Sequence, residues 1–192
     1  LLQGRLLVAV ADALIGGARV VQYRDKSSDP VRRRQEASAL LLLCRRHAVP
    51  LLINDDVTLA RAIGADGVHL GQGDAALAEA RSLLGPQAII GITCHDSLDL
   101  AAAAASGGAD YLAFGAVFNS SSKPAARPCP PAILTEARRF RLPLVAIGGI
   151  TPDNVSHVIA AGADAVAVIA GLWQAPDVAA RARQFSQEFP SA

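Results

Sequence analysis

The stretch Leu51–Asp74, LLINDDVTLARAIGADGVHLGQGD, decides how the chain is read. It holds two short apolar runs, Leu51–Ile53 and Gly67–Leu70, and each stops abruptly in polar residues. The first ends in Asn54-Asp55-Asp56 and the second in Gln72-Gly73-Asp74. Between them, Val57–Ile63 has helical spacing and is closed by Gly64. Strand, polar tip, helix, then strand and tip again is the repeating unit of a parallel α/β protein. Ligands of such proteins sit outside the carboxyl ends of the strands. Two acidic tips on neighbouring parallel strands therefore face one rim, within reach of a shared cation.

The same unit recurs on both sides. Toward the N-terminus, Leu1–Ile15 reads as a helix stopped by Gly16-Gly17, and Arg19–Tyr23 as a strand with its tip running to Lys26. Asp29-Pro30 is an N-cap and first-turn pair for a helix to about His47, broken by Pro50. Toward the C-terminus, a helix to about Leu84 is followed by strands at Ile89–Thr93, Tyr111–Phe114, Leu144–Ile147 and Ala165–Ile169. Their helices are Leu98–Ala105, Ala132–Phe140, a segment capped by Thr151-Pro152 and ending near Gly162, and Asp177–Phe189, which follows the tip Ala170-Gly171-Leu172. The phrases GGAR, GADG, GGAD and GADA each mark a helix end turning back into a strand.

Seven strand–helix units behind an opening helix predict a single-domain α/β protein over residues 1–192, a (β/α)8 TIM barrel whose first strand is missing from this chain. An open doubly wound sheet fits less well, because no GxGxxG follows the first strand and the units are too uniform. The chain contains no Met, so its natural start is expected upstream of Leu1.

Composition narrows the function classes. With 192 residues, 52% hydrophobic and 18% charged, the chain has ample material for a core and is not a disordered segment. A net charge of +1 gives no reason to expect a nucleic-acid partner, and Arg32-Arg33-Arg34 reads as a solvated helix face. No apolar run approaches the ~20 residues of a membrane span. Three cysteines without CxxC spacing read as reduced thiols in a cytoplasmic protein.

In a barrel every tip projects onto one face. Gln22, Arg24 and Lys26 alternate along an extended segment and point the same way, a cluster that an anion would stabilise. Asp55 and Asp74 read either as helix N-caps or as an oxygen pair for Mg2+, with Asn54 and Gln72 beside them. Asp56 reads as a cap. Ser120-Ser121-Ser122-Lys123 fits a phosphate, and equally a flexible loop. Gly148-Gly149 and Ala170-Gly171 fall where this fold often binds phosphate through backbone N–H groups. His95 reads as a rim histidine, and His47, His69 and His157 have no ligand spacing. No zinc site and no nucleophilic triad is visible. The sum is a mouth for two phosphate-bearing groups with a metal on one of them, which suggests a diphosphate leaving group and a monophosphate acceptor.

The motifs QYRDK (Gln22–Lys26), NDD (Asn54–Asp56), GVHLGQGD (Gly67–Asp74), GITCH (Gly91–His95), FGAVFNSSSK (Phe114–Lys123), AIGGI (Ala146–Ile150) and AVAVIAG (Ala165–Gly171) resemble, in order, those of the thiamine-phosphate synthase family. The resemblance implies a transferase that joins hydroxymethylpyrimidine diphosphate to a thiazole phosphate, in its plain or carboxylated form, releasing pyrophosphate. By this resemblance Gln22, Tyr23, Arg24, Asp25, Lys26, Asn54, Thr93 and Lys123 would bind the pyrimidine diphosphate. Arg24, Lys26 and Lys123 would assist its departure, and Asp55 and Asp74 would hold Mg2+. Ser120, Ser121, Ser122, Gly149, Ile169 and Ala170 would line the thiazole-phosphate site. The implied mechanism is dissociative, with no protein nucleophile.

This chain departs from the family pattern at Ser120 and Ser122, where threonines are usual, at Ala170 in place of serine, and at Ala116 in place of proline. The related thiazole tautomerase needs no metal-bound diphosphate, so the QYRDK cations and the Asp55–Asp74 pair argue against it. A non-catalytic relative that binds thiamine intermediates is the remaining alternative.

Overall fold

The computed structural model describes residues 2, 4–71, 77–119 and 128–189. They hold seven strands: β1 (Val21–Tyr23), β2 (Leu51–Asn54), β3 (Gly67–Leu70), β4 (Ile89–His95), β5 (Tyr111–Phe114), β6 (Leu144–Ile147) and β7 (Ala165–Ala167). Nine α-helices alternate with them: α1 (Leu6–Ile15), α2 (Pro30–Arg46), α3 (Val57–Ile63), α4 (Leu77–Leu84), α5 (Leu98–Ser106), α6 (Ala132–Ala137), α7 (Val155–Ala160), α8 (Ala170–Trp173) and α9 (Val178–Gln187). Every strand pairs in parallel with its sequence neighbour, so the sheet order is β1 to β7.

The strands are short apolar runs because both faces of such a sheet are covered. In β2, Leu51, Leu52 and Ile53 are all buried, although their side chains alternate between the two faces. The helices begin where a short polar side chain can accept an orphan N–H. Asp29 accepts from Arg32 N, with Pro30 in the first turn. Asp56, Ser97 and Asp177 do the same for Leu59, Leu100 and Ala180. Gly64, at φ 69°, closes α3 in the left-handed conformation that glycine adopts without strain.

The GADG, GGAD and GADA phrases carry a repeated clasp at the amino ends of the strands. Asp66 N donates to Leu51 O at 3.1 Å, and Leu51 N donates back to Asp66 Oδ2 at 2.8 Å. Asp110 and Ile90 form the same reciprocal pair, at 2.8 and 2.7 Å, as do Asp164 and Leu144, at 2.9 Å each. An arginine from the preceding helical segment completes two of the clasps: Arg81 lies 2.7 Å from Asp110, and Arg138 lies 2.8 Å from Asp164. Each aspartate thereby satisfies an N–H at the start of the preceding strand, and Asp110 and Asp164 also tie a helical arginine to the sheet.

The sheet edges are β1 and β7, and among the described residues no strand bonds to both. On the outside, α1 and α9 pack together. Ser186 Oγ donates to Gly16 O at 2.9 Å, and a side chain at Gly16 would collide with Ala179 and Ala182. The observed fold is thus a seven-stranded parallel sheet of barrel type.

Several boundaries differ from expectation. The β7 strand stops at Ala167, because its one ladder, to β6, ends at Ile147↔Ala167. Ala170–Trp173 is a short helix rather than an open tip. Thr151-Pro152 does not cap α7, which starts at Val155. Instead Asn154 Oδ1 accepts Thr151 N at 2.9 Å, while Asn154 Nδ2 donates to Gly149 O at 3.1 Å, closing the turn. The Ala132–Phe140 helix tightens into a 3-10 turn from Arg138. The β4 strand runs on to His95 through an irregularity beyond Thr93.

Candidate active site

The carboxyl ends of β1 and β2 form a cleft of about 440 Å³ that includes Lys26, Arg33, Asn54, Asp55, Asp56 and Glu79. Parallel pairing makes this unavoidable, since β1 and β2 run in register from Val21↔Leu51 to Tyr23↔Ile53 and both chains leave the sheet on the same side. The two aspartates of NDD then separate in role. Asp56 is the α3 cap, and its second oxygen lies 2.6 Å from Arg33 Nη2. Asp55 is not a cap. Its backbone takes a left-handed conformation at φ 65°, its N–H donates to His69 O at 2.9 Å, and its carboxylate meets Lys26 Nζ at 2.5 Å.

The alternation through QYRDK is visible in burial: Gln22, Arg24 and Lys26 are exposed, whereas Tyr23 is buried. Tyr23 is turned away from the mouth. Its hydroxyl donates to Glu36 Oε2 on α2 at 2.7 Å, and burial followed by that carboxylate pushes the phenol well above its ordinary value. Asp25 is held by Ser27 N at 2.9 Å, Ser27 Oγ at 2.8 Å and Arg32 Nη2 at 2.8 Å. The Ser27 bonds, with Arg32 behind them, lower its carboxyl to about 2. Asp25 lines the cleft, but its oxygens fasten the turn between β1 and α2.

Inside the sheet, Thr93 Oγ1 lies 2.7 Å from His69 Nε2, and His69 Nδ1 lies 2.7 Å from Tyr111 Oη. His69 had no ligand spacing in the sequence, yet it is the buried polar residue that touches a candidate substrate-binding side chain. The signal was available: His69 interrupts an apolar run and falls in the same row of the sheet as Asn54.

The third group forms at the ends of β5, β6 and β7. Val117 N donates to Ile147 O at 2.9 Å and Phe118 N to Gly148 O at 3.1 Å, which fastens the segment after β5 although Ala116 stands there in place of proline. A Cβ on Gly149, at φ 66°, would collide with the backbone of Phe118 and Asn119. A Cβ on Gly171 would strike Ile150 O. The Gly149 turn, the entry to the serine run and the start of α8 with Ile169 and Ala170 are therefore neighbours. Gln72, Asp74, Ser120, Ser121, Ser122 and Lys123 lie outside the described residues.

The accessible donors around Asp55, namely carboxylate and amide oxygens, are the hard ligands that suit Mg2+, an ion commonly held by one or two carboxylates plus substrate phosphates. Among the described residues no three His, Cys, Asp or Glu side chains converge on one point, and the Asp55 carboxylate has the Lys26 ammonium beside it. The cysteines offer no nucleophile. All three are free and buried, and burial raises Cys44 and Cys129 to about 11 and Cys94 to about 12.

Fold and site together define a parallel α/β protein of barrel type whose polar mouth lies at the carboxyl ends of the strands. A family model described as thiamine monophosphate synthase matches residues 2–172. The thiamine-phosphate synthase of Marinobacter nauticus is 56% identical over 96% of this chain and 84% of its own length. That of Thioalkalivibrio sulfidiphilus is 56% identical over 95% and 88%. Among solved structures, a thiamine phosphate pyrophosphorylase from Pyrococcus furiosus superposes with a TM-score of 0.87 at 33% identity, covering 95% of this chain and 88% of that one. The chain belongs to the thiamine monophosphate synthase family.

Proposed function

We infer that this chain is a transferase that performs the thiamine-phosphate synthase reaction, joining hydroxymethylpyrimidine diphosphate to a thiazole phosphate and releasing pyrophosphate. The observation that carries the reading is the pairing of near-full-length identity to synthases with a cleft in which Lys26 and Asp55 meet at the ends of β1 and β2. In the reaction the methylene–oxygen bond breaks, its electron pair leaves with pyrophosphate, and the thiazole nitrogen supplies the pair for the new carbon–nitrogen bond.

Departure of a diphosphate is limited by the negative charge it develops, so preorganised cations are the effective catalysts. Lys26 and Arg24, with Lys123, neutralise that charge. Gln22, Asn54 and Thr93 orient the pyrimidine diphosphate, with Tyr23 and Asp25 bracing the strand end. Asp55 and Asp74 would hold Mg2+, which when bound supplies further charge neutralisation at the diphosphate. Gly149, Ile169, Ala170 and Ser120–Ser122 receive the thiazole phosphate and bring its nitrogen to the methylene carbon, a positioning effect of the kind that replaces a protein nucleophile. A tautomerase has no use for the Lys26–Asp55 cleft.

We further read the sheet as part of a (β/α)8 barrel forming one domain. The buried free thiols fit the reducing cytoplasm, and among the described residues no helix is long and apolar enough to cross a membrane. Incubating the protein with both substrates and Mg2+ tests the function. Stoichiometric pyrophosphate and thiamine phosphate are expected, and absence of both products would overturn the reading.

A further inference from the structure

Two residues one turn apart on α2 hold two residues of the β1 tip that share a face. Tyr23 Oη donates to Glu36 Oε2 at 2.7 Å, and Asp25 Oδ2 accepts from Arg32 Nη2 at 2.8 Å. The spans agree. Two residues of extended chain cover roughly 6.6 Å, and four residues of helix cover about 6 Å of axis. A helix that follows a strand in a parallel sheet runs back alongside it. The later strand residue, Asp25, therefore meets the earlier helix residue, Arg32, and Tyr23 meets Glu36.

Glu36 closes the circuit, since its Oε1 lies 3.9 Å from Arg32 Nε on the same face of the helix. Of the two links, Tyr23–Glu36 is the stronger anchor. Tyr23 is buried and Glu36 half-buried, whereas the side chain of Arg32 is 49% exposed and water screens its pair with Asp25. The anchor sits where the sheet gives out: the β1–β2 ladder ends at Tyr23↔Ile53, and Arg24, Asp25 and Lys26 follow its last rung. Arg24 and Lys26, which alternate with the two held residues, are exposed.

Resting on the synthase reading, we propose that Glu36 is a positioning residue: through Tyr23, and with Arg32 through Asp25, it fixes the β1 tip so that Arg24 and Lys26 face the departing diphosphate. Holding residues 23 and 25 against α2 leaves the residues that alternate with them one direction to point. The diphosphate then meets cations already in place, and less ordering is lost on binding. Glu36 itself lies outside the cleft and touches no substrate.

Kinetics of four variants test the proposal. Glu36→Ala should raise KM for hydroxymethylpyrimidine diphosphate about tenfold, the scale of one lost hydrogen bond to a charged group. KM for the thiazole phosphate should stay within about twofold of wild type. Glu36→Gln, whose amide oxygen still accepts the Tyr23 proton, should recover most of the loss. Tyr23→Phe keeps the ring in the core and should match Glu36→Ala. The double variant should be no worse than either single one, because the same bond is missing in all three. Equal rises in both KM values, losses that multiply in the double variant, or a lower urea midpoint with both KM values unchanged would overturn the positioning role. If Glu36→Ala does not fold, Tyr23→Phe and Glu36→Gln decide: a selective rise in the first with little change in the second supports the role, and any other pattern overturns it. If the wild-type protein releases no pyrophosphate, the synthase reading has failed instead. Calorimetric titration with inorganic pyrophosphate then decides the clamp alone. Weaker binding to Tyr23→Phe than to wild type supports it; equal binding, or none to wild type, overturns it.

Discussion

Lys26 Nζ stands 2.5 Å from Asp55 Oδ2, joining the tip of β1 to the tip of β2 across 29 residues of sequence. The lysine side chain is 59% exposed and the carboxylate 20% exposed, so water screens the pair and its contribution to stability is small. Exposed pairs of this kind contribute about 0–1 kcal/mol. The value of Lys26 lies in being where a diphosphate must be neutralised.

Lys26→Met should therefore separate stability from turnover. For a chain of this size 1 kcal/mol corresponds to roughly 2–4 °C, so Tm should fall by no more than about 4 °C. Losing one preorganised charge contact should reduce pyrophosphate release by about 10²–10³-fold. A thermal melt and a steady-state assay on the same preparation give both numbers. Full turnover with a large drop in Tm would make Lys26 a structural residue.

Asp110→Ala should give the opposite pattern. Asp110 accepts Ile90 N and pairs with Arg81 at the amino ends of the strands, remote from the mouth. Removing it leaves a partly buried N–H unsatisfied, which costs about 1–3 kcal/mol. Urea unfolding should show a lower midpoint with an unchanged slope, and KM for both substrates should stay within twofold of wild type. A selective change in either KM would contradict the division between a stabilising face and a catalytic face.

How far the sequence could be read follows from what each signal reports. Apolar runs report burial along a segment, and β3, β5 and β6 have the bounds that those runs predicted. The end of β7 was overestimated because Val168 and Ile169 continue the apolar run after the ladder has stopped. Polar tips were legible as a set, since parallel pairing sends them all to one face. Their partners were not. Whether Asp55 or Asp56 caps α3 depends on a one-residue difference in backbone geometry, with Asp55 at φ 65°. Tyr23 turning to Glu36, or His69 bridging Thr93 and Tyr111, depends on contacts 13, 24 and 42 residues apart that no local pattern encodes.

The third group of residues can be perturbed on its own. Gly149→Ala places a methyl against Phe118 and Asn119 at a left-handed position, so the turn must shift. KM for the thiazole phosphate should rise at least tenfold and KM for the pyrimidine diphosphate should stay constant. Ala170→Ser, at the start of α8, restores a hydroxyl and should lower KM for the thiazole phosphate. If Gly149→Ala raised both KM values equally, the two subsites would not be separate.

The buried thiols make the alkaline limb of stability predictable. Cys44 and Cys129 are raised to about 11 and Cys94 to about 12, in each case chiefly by burial, against 9.0 for an unperturbed thiol. A folded-state pKa above the unfolded one means that the unfolded chain gives up these protons first as pH rises. Stability from these groups is complete below pH 9.0 and is lost between there and about 11–12. Tm should accordingly be flat from pH 7 to pH 8.5 and fall progressively above pH 9. Cys94→Ala should flatten that limb if it folds, and Cys94→Ser should not restore the original curve. Independently, iodoacetamide at pH 8 should label the native protein slowly at all three cysteines, while the urea-unfolded chain labels fully within minutes. Rapid labelling of any one of them in the folded protein would show that its thiol is accessible and reactive, contrary to its burial.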